Sequence, residues 1–342
     1  MRRTRFLFLT THLTAIASLV LLSACNGGGG DDAGPALEAG GPQVLSDDDA
    51  GLEKRATAAA TTNTLTVGVK VPGFPHPVDV YRPSGATKAM VFLHGHGGRN
   101  WQLAYDLGIN RVMQPAKAGN VDWDWLSRNG VIAVFPQGQA KLPLPAGLPT
   151  WSNHVFDSGQ DDVAFLTALS TFVKAQYGAT SVLLSGHSSG GSMTARMWCE
   201  GTTAYKAYLS IAGPMASSTW PIPSAACTPL APAPYYMIVG GSDTKLSVFA
   251  PDFFPPTAEQ SAAGLTDTVL TYEWTRHEGR AMGVCGEEPV LNAGTKATTG
   301  PTWNACDGLV RYQVVTKAGH PIASLEQYAE VRMRDLANGF LK

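Results

Sequence analysis

The sequence predicts an α/β protein built on a doubly wound, mostly parallel β-sheet. Short apolar runs, typical of strands that are buried on both faces of a parallel sheet, occur singly along the chain. Segments with helical periodicity separate them, and this alternation is typical of a sheet covered by helices on both faces. The 342 residues, 44% of them hydrophobic, suffice for one large core. The predicted strands are AMVFLH, VIAVFP, SVLLSG, AYLSIAG, YYMIVGG and LVRYQVV.

An antiparallel pair of strands precedes the parallel ones. LTVGVK and VDVY are joined by a Pro/Gly turn and have the composition of strands. Their position before the first parallel strand places them at one edge of the sheet.

Three segments predict helices that cover the sheet. Residues 161–178 carry apolar side chains at helical spacing, with Asp161 and Asp162 as cap and first-turn charge and Gly178 at the end. SSGGSMTARMWCE follows the strand SVLLSG directly and contains helix formers. The C-terminal segment 324–341 is amphipathic and predicts one helix.

The N-terminus predicts a signal peptide over residues 1–25. Three arginines within the first five residues precede a long apolar run that ends in small residues and Cys25. Leu22-Ser23-Ala24-Cys25 resembles a bacterial lipobox, in which the cysteine is lipidated. We therefore expect an exported protein, either an outer-membrane lipoprotein tethered to the membrane through Cys25 or a secreted or periplasmic protein.

Residues 26–62 predict a flexible linker, because they are rich in Gly, Ala and Asp and almost free of large apolar side chains. The folded domain is then expected over residues 63–342. The formal charge is -2, with no basic cluster beyond the first five residues. This balance argues against a nucleic-acid partner.

Four cysteines remain if Cys25 is lipidated, and an even number in an exported protein predicts two disulfides. They are Cys199, Cys227, Cys285 and Cys306. Four cysteines allow three pairings. The shortest loops favour Cys199 with Cys227 and Cys285 with Cys306.

The pentapeptide Gly186-His187-Ser188-Ser189-Gly190 follows an apolar strand and opens a helix. This is the context that a nucleophile elbow requires. In such an elbow Ser188 adopts a strained backbone conformation, so Gly186 and Gly190 must be small. The alternative is a Gly/Ser loop that caps a helix.

A serine hydroxyl needs an imidazole as base and a carboxylate that orients the imidazole. Asp243 follows the strand YYMIVGG, and His320 lies between the strand LVRYQVV and the last helix. Both therefore fall at the C-terminal ends of strands, where ligands bind in open α/β sheets. Asp161 and Asp162 are rival acids, and we expect them to be structural.

An oxyanion needs two backbone N–H donors, one from the residue after the nucleophile and one from the loop after an earlier strand. Ser189 supplies the first. The run HGHGG at residues 94–98 supplies the second, from His96 with Gly97 as the neighbouring candidate. A metal site at His94 and His96 is disfavoured, because no acidic or histidine partner has matching spacing.

Three further side chains are candidates for a substrate pocket. Trp151 and Trp303 fit either an apolar acyl pocket or the packed core. His187, inside the elbow, is expected to pack or to line the pocket rather than to act as a base.

Together these residues resemble the alpha/beta-hydrolase family, and within it exported esterases such as poly(3-hydroxybutyrate) depolymerase-like enzymes and feruloyl or acetylxylan esterases. The resemblance covers residues 64–342. It implies Ser188 as nucleophile, His320 as base and acid, and Asp243 as its orienting group, without a metal or organic cofactor. The motifs that carry it are VFLHGHGG, DDVAFL, SGHSSGGSMTARMWCE, GGSD, and W-x-x-C followed by LVRYQVVTKAGHP.

The resemblance implies an exported serine esterase that acts through an acyl-enzyme. The expected substrates are polyhydroxybutyrate-type polyesters or oligomers, or acyl-sugar esters with feruloyl or acetyl groups. Two alternatives are a serine peptidase on the same fold and a binding lipoprotein that has lost the reaction.

Overall fold

In the computed structural model the described residues are 62–141, 147–153, 156–200, 203–213, 233–245, 285–286, 290–292, 299–300 and 302–341. The predicted signal peptide with Cys25, the linker up to residue 61, and Cys227 lie outside these ranges. Within these ranges no helix has both the length and the apolar character that crossing a bilayer requires.

The described residues form ten strands and six helices, together with short 3-10 turns. The strands are β1 (Thr64–Lys70), β2 (Pro77–Arg82), β3 (Lys88–Leu93), β4 (Val131–Pro136), β5 (Ser181–His187), β6 (Ala207–Ile211), β7 (Tyr235–Gly240), β8 (Val290–Asn292), β9 (Thr302–Ala305) and β10 (Val310–Val315). The helices are α1 (Asn100–Asp106), α2 (Trp123–Asn129), α3 (Asp162–Tyr177), α4 (Ser189–Cys199), α5 (Ile322–Ala329) and α6 (Met333–Gly339).

All ten strands join one sheet in the order β1-β2-β4-β3-β5-β6-β7-β10-β9-β8. The six strands from β4 to β10 in this order run parallel. Antiparallel strands border them, with β2 and β1 on one side and β9 and β8 on the other. This topology confirms the predicted fold class and the antiparallel pair at its edge.

Two apolar cores lie on opposite faces of the sheet. Helices α3 and α4 pack on one face, and α1, α2, α5 and α6 pack on the other. Neighbouring residues of β3 alternate between the cores: Val91 belongs to the first, and Met90 and Phe92 belong to the second. Strands buried on both faces explain why the sequence shows continuous apolar runs rather than alternation.

Helix α3 has the predicted ends. The Asp161 carboxylate accepts the Ala164 N–H at 3.0 Å as an N-cap, and Gly178 closes the helix with φ 70°. The left-handed conformation at the C-terminal end favours glycine because a Cβ would be strained there.

The predicted C-terminal helix over 324–341 is wrong in one respect, because two helices cover this segment. Helix α5 ends at Glu330, whose φ is 56°. The buried Glu326 carboxylate accepts the Met333 N–H at 2.8 Å, at the start of α6. The break lets both apolar faces reach the core, and the amphipathic pattern alone does not reveal it.

Cys285 and Cys306 form a disulfide with a Cα–Cα distance of 5.6 Å, which is the pairing that the shorter loops favour. Cys199, at the end of α4, is also disulfide-bonded. Cys227, its expected partner, lies outside the described residues, so that pairing stays a prediction.

Candidate active site

Ser188 occupies a strained turn between β5 and α4. Its backbone has φ 56° and ψ −122°, which is rare for a residue with a side chain. The turn is held by two backbone hydrogen bonds: the Ser188 N–H donates to the Ile211 carbonyl at 2.9 Å, and the Ser192 N–H donates to the Ser188 carbonyl at 2.9 Å. This is the geometry expected of a nucleophile elbow.

The two predicted elbow glycines are required by close backbone contacts. A Cβ on Gly186 would lie 2.2 Å from the Gly190 carbonyl oxygen. A Cβ on Gly190 would lie 2.2 Å from the Leu93 carbonyl oxygen. Only glycine lets strand, turn and helix approach this closely, so the G-x-S-x-G spacing follows from packing.

The Asp243 carboxylate and the His320 imidazole are hydrogen-bonded, with 2.7 Å between Oδ2 and Nδ1. The carboxyl side chain is 1% exposed and the imidazole 19%. A carboxylate only accepts, so Nδ1–H donates and a neutral imidazole presents an unprotonated Nε2. This is the tautomer that a general base needs.

The loops that carry Asp243 and His320 are tied together at the ends of β7 and β10. The Ser242 N–H donates to the Ala318 carbonyl at 2.9 Å. A Cβ on Gly240 would lie 2.3 Å from the same Ala318 oxygen. The glycine before the Ser-Asp pair therefore permits the approach, a signal that the sequence contained but that we had not interpreted.

A cleft of about 210 Å³ contains Ser188 and His320 in its walls. The oxyanion loop forms a second wall through residues 94–96 and Gly98. Side chains on one face of α1 form a third wall. Asp243 stands behind His320, away from the lining. The three predicted catalytic residues thus gather at one edge of the sheet, and their roles stay a prediction.

The oxyanion loop lies directly against the elbow, since a Cβ on Gly95 would be 3.2 Å from the Ser188 Cβ. The Gly97 N–H already donates to the Pro149 carbonyl at 2.8 Å, so Gly97 is replaced as a candidate donor. Among the described residues, the N–H groups of His96 and Ser189 have no acceptor. These two amides remain the predicted oxyanion donors.

His94 orients this loop from inside the protein. Its Nδ1–H donates to the Gly95 carbonyl at 2.7 Å, and its Nε2 accepts the Gly138 N–H at 2.9 Å. Burial lowers the pKa of His94 to about 4, so the imidazole is neutral near pH 7. In a trans peptide the N–H points away from the C=O, so the next amide, that of His96, faces away from His94.

A metal site at His94 and His96 is not supported. Both His94 ring nitrogens have protein partners, and the His96 ring stacks on Phe156 with 4.3 Å between centroids. Across the part of the chain that the structure describes, no three His, Cys, Asp or Glu side chains group as metal ligands.

His187 lines the cleft and contacts the predicted base. Its Nε2–H donates to the His320 carbonyl at 2.9 Å, and the two rings lie 4.9 Å apart. Burial and the neighbouring His320 lower the pKa of His187 to about 4. The ring therefore stays neutral and holds the His320 backbone, consistent with a packing or lining role.

Trp151 and Trp303 occupy the core, not the cleft walls described above. Trp151 is fully buried, and its indole N–H donates to the His94 carbonyl at 2.9 Å. Trp303, in β9, is 2% exposed and stacks on Tyr312. Of the two interpretations open for these tryptophans, the structure supports packing.

The rival acids lie away from the cleft. Asp161 caps α3, and the buried Asp162 carboxylate pairs with His76, with 2.8 Å between Oδ1 and Nε2. The sequence analysis did not single out His76. An isolated histidine before a strand carries no signal of a partner 86 residues away.

A serine in a strained strand-to-helix turn, with a histidine–carboxylate pair on later strand ends, defines the class of α/β proteins that carry a nucleophile elbow. A family model described as the alpha/beta hydrolase family matches residues 90–333. The match spans more than half of the sequence, and the chain belongs to this family.

Solved structures show the same fold. An acetyl xylan esterase from Aspergillus awamori is 17% identical with TM-score 0.51, covering 81% of this chain and 99% of that one. A ferulic acid esterase is 11% identical with TM-score 0.47, covering 82% and 99%. An alpha-beta serine hydrolase homologue from Coxiella burnetii is 17% identical with TM-score 0.42, covering 83% and 100%. The comparison with curated protein sequences finds no significant match.

Proposed function

We propose that this hydrolase-family protein is a serine esterase that cleaves carboxylic esters through an acyl-enzyme. One observation carries the proposal: the hydrogen-bonded Asp243–His320 pair shares a cleft with Ser188 on a strained elbow. Such a base and orienting carboxylate activate a serine hydroxyl.

In the proposed reaction His320 Nε2 takes the Ser188 hydroxyl proton as Oγ attacks the ester carbonyl carbon. The tetrahedral intermediate collapses, and His320 returns the proton to the leaving alcohol. Water then attacks the acyl-enzyme, again giving its proton to His320, and the acid leaves as Ser188 is restored. Asp243 stabilises the imidazolium that forms in each half-reaction.

The negative charge on the carbonyl oxygen is stabilised by the N–H groups of His96 and Ser189. Both amides are without an acceptor among the described residues, and the Gly95 contact brings the oxyanion loop beside Ser188. Donors that are already oriented need no rearrangement during the reaction, so they favour the transition state over the ester.

The α1 wall of the cleft supports a polar substrate. Arg99, Gln102 and Asp106 lie on one helical face at the cleft, and none of the three side chains hydrogen-bonds to another described residue. Partial burial raises the pKa of Asp106. Its carboxylate needs donors, which sugar hydroxyls supply along their whole length and a polyhydroxybutyrate chain supplies only at its hydroxyl end. Acetyl or feruloyl sugar esters are therefore favoured over polyester oligomers.

The substrate class has its own test. We expect Asp106→Asn to raise KM for an acetylated xylo-oligosaccharide and to leave hydrolysis of p-nitrophenyl acetate unchanged. Faster cleavage of hydroxybutyrate oligomers than of acetylated and feruloylated sugars would reverse the assignment.

Export through residues 1–25 and a membrane tether at a lipidated Cys25 are part of the proposal. The basic start, the apolar run and the lipobox-like Leu-Ser-Ala-Cys sequence support it. Palmitate labelling of cells that make the protein, compared with cells that make Cys25→Ser, is expected to label only the unchanged protein. Label in neither would remove the tether.

The reaction is tested with p-nitrophenyl acetate and the purified protein. Ser188→Ala is expected to remove nearly all turnover, whereas Ser127→Ala, on the exposed side of α2, is a matched control with full activity. Background rates in the unchanged, folded protein would favour the peptidase or the binding lipoprotein, which peptide substrates and a fluorophosphonate label then separate.

A further inference from the structure

A segment between β4 and α3 contacts the oxyanion loop. The segment is residues 149–153 and 156–158, which we call the brace. Its first carbonyl accepts the Gly97 N–H at 2.8 Å. Near its other end, the Phe156 ring stacks on His96 with 4.3 Å between centroids. The brace therefore touches both residues that follow Gly95 in the oxyanion loop.

The same segment contacts the strand before that loop and the first turn of α4. The Trp151 indole N–H donates to the His94 carbonyl at 2.9 Å. The Asn153 side-chain amide donates to the Ser189 carbonyl at 2.8 Å, and Asn153 is fully buried. The brace thus spans the gap between the two proposed oxyanion donors.

A buried carboxylate holds the brace in place. Asp162 Oδ2 accepts the Ser152 N–H and the Ser158 O–H, each at 2.6 Å. Its Oδ1 accepts the His76 Nε2–H at 2.8 Å, and both side chains are 0% exposed. His76 in turn stacks on Phe165 of α3, with 3.8 Å between centroids.

Helix capping does not explain this arrangement. Asp161 already provides the N-cap of α3 by accepting the Ala164 N–H. The hydrogen bonds of Asp162 go to the brace and to His76 instead. A carboxylate buried without exposure is costly unless every acceptor site is used, so this position is tightly defined.

We propose that the brace, held by the His76–Asp162 pair, sets the separation of the His96 and Ser189 amides, and that Asp162 and Asn153 are positioning residues for the oxyanion site. The inference rests on the esterase proposed above. It follows because two donors act on one oxygen only when each lies about 2.7–3.1 Å from it. A displacement of about 1 Å caused far from the chemistry is enough to cost about 10²-fold in rate.

Asp162→Asn and Asp161→Asn make the same chemical change at adjacent residues and form a matched pair. In Asp162→Asn an NH2 group replaces an oxygen that accepts from donors. We expect kcat on p-nitrophenyl acetate to fall by about 10- to 100-fold with KM within about two-fold. Asp161→Asn keeps a capping side chain and is expected to match the unchanged protein.

A trifluoromethyl ketone separates positioning from a general structural effect. It adds to Ser188 and places an oxyanion in the site, so its affinity is expected to fall by the same factor as kcat/KM in Asp162→Asn. A loss of stability alone would lower the melting temperature and the fraction of folded protein without changing the ratio of kcat to KM or the affinity per folded molecule.

Asn153→Ala provides the second variant, since it removes one hydrogen bond to the Ser189 carbonyl and leaves the buried pair intact. We expect the same fall in kcat and in ketone affinity. A folded Asn153→Ala protein with unchanged kcat and ketone affinity would overturn the proposal, whatever Asp162→Asn does. Failure of the esterase itself has a different signature, because the unchanged protein and Ser188→Ala would then react alike.

Discussion

Replacing Asp243 by asparagine is expected to lower kcat by about 10⁴ while leaving the fold intact. Both carboxylate oxygens already have donors: His320 Nδ1–H at 2.7 Å and the Lys245 backbone N–H at 2.9 Å. Asparagine has one acceptor oxygen, and the backbone N–H cannot change its role. The NH2 group therefore faces the imidazole, which moves its proton to Nε2.

An imidazole protonated at Nε2 cannot take the serine proton. The loss of about 10⁴ known for this change in serine proteases corresponds to about 5 kcal/mol, at 1.36 kcal/mol per tenfold. The assay is the steady-state rate on p-nitrophenyl acetate, with the melting temperature as a check on folding. Asp124→Asn, whose carboxylate is 83% exposed on α2, is the control and should keep full activity. Activity near that of the unchanged protein in Asp243→Asn would show that another group orients His320.

Three further changes test the packing, the buried imidazole and the disulfide. Gly190→Ala places a Cβ 2.2 Å from a carbonyl oxygen and is expected to lower the free energy of unfolding by about 3 kcal/mol or more, whereas Gly119→Ala meets no atom within 4 Å and should unfold at the same urea concentration as the unchanged protein. Equal midpoints for both would refute the close approach. The pKa of His94 is lowered by burial from 6.5 to about 4, so between these values the unfolded chain binds more protons, and stability falls by about 2 kcal/mol from pH 8 to pH 5. Urea titrations at both pH values should show that His94→Asn has lost this part of the slope, and an unchanged slope would exclude the effect. Reducing the Cys285–Cys306 bond, which closes a loop with a sequence separation of 21, should cost about 3 kcal/mol. Peptide mapping without reductant is expected to recover the linked pair, and separate peptides would contradict it.

The sequence predicts the parallel strands because each is a short apolar run with turn residues beside it. β8 and β9 were not predicted, since they are only three and four residues long and their surroundings have no clear periodicity. Helices α1 and α2 were missed for a related reason. Each has seven residues, too few for the apolar spacing to rise above chance.

The elbow was predictable because its demands are local. Ser188 needs glycines two residues away on each side, and these appear as a fixed spelling beside a strand. Asp243 and His320 were predictable from strand ends, since parallel strands bring their C-terminal ends to one edge of the sheet. The tryptophans were ambiguous, because a large apolar side chain suits a pocket and a core equally well.

The sequence by itself determined the order of strands and helices, the strained serine and the chemical types gathered at the sheet edge, because these depend on neighbours within a few residues. Only the tertiary structure decided which oxyanion amides are without an acceptor, that Gly97 is engaged by Pro149, and that Asp162 pairs with His76. Those facts depend on contacts between residues 50 to 86 positions apart, as with Gly97 and Pro149 or His76 and Asp162. Such contacts form only when the sheet brings distant loops together, and no local pattern records them.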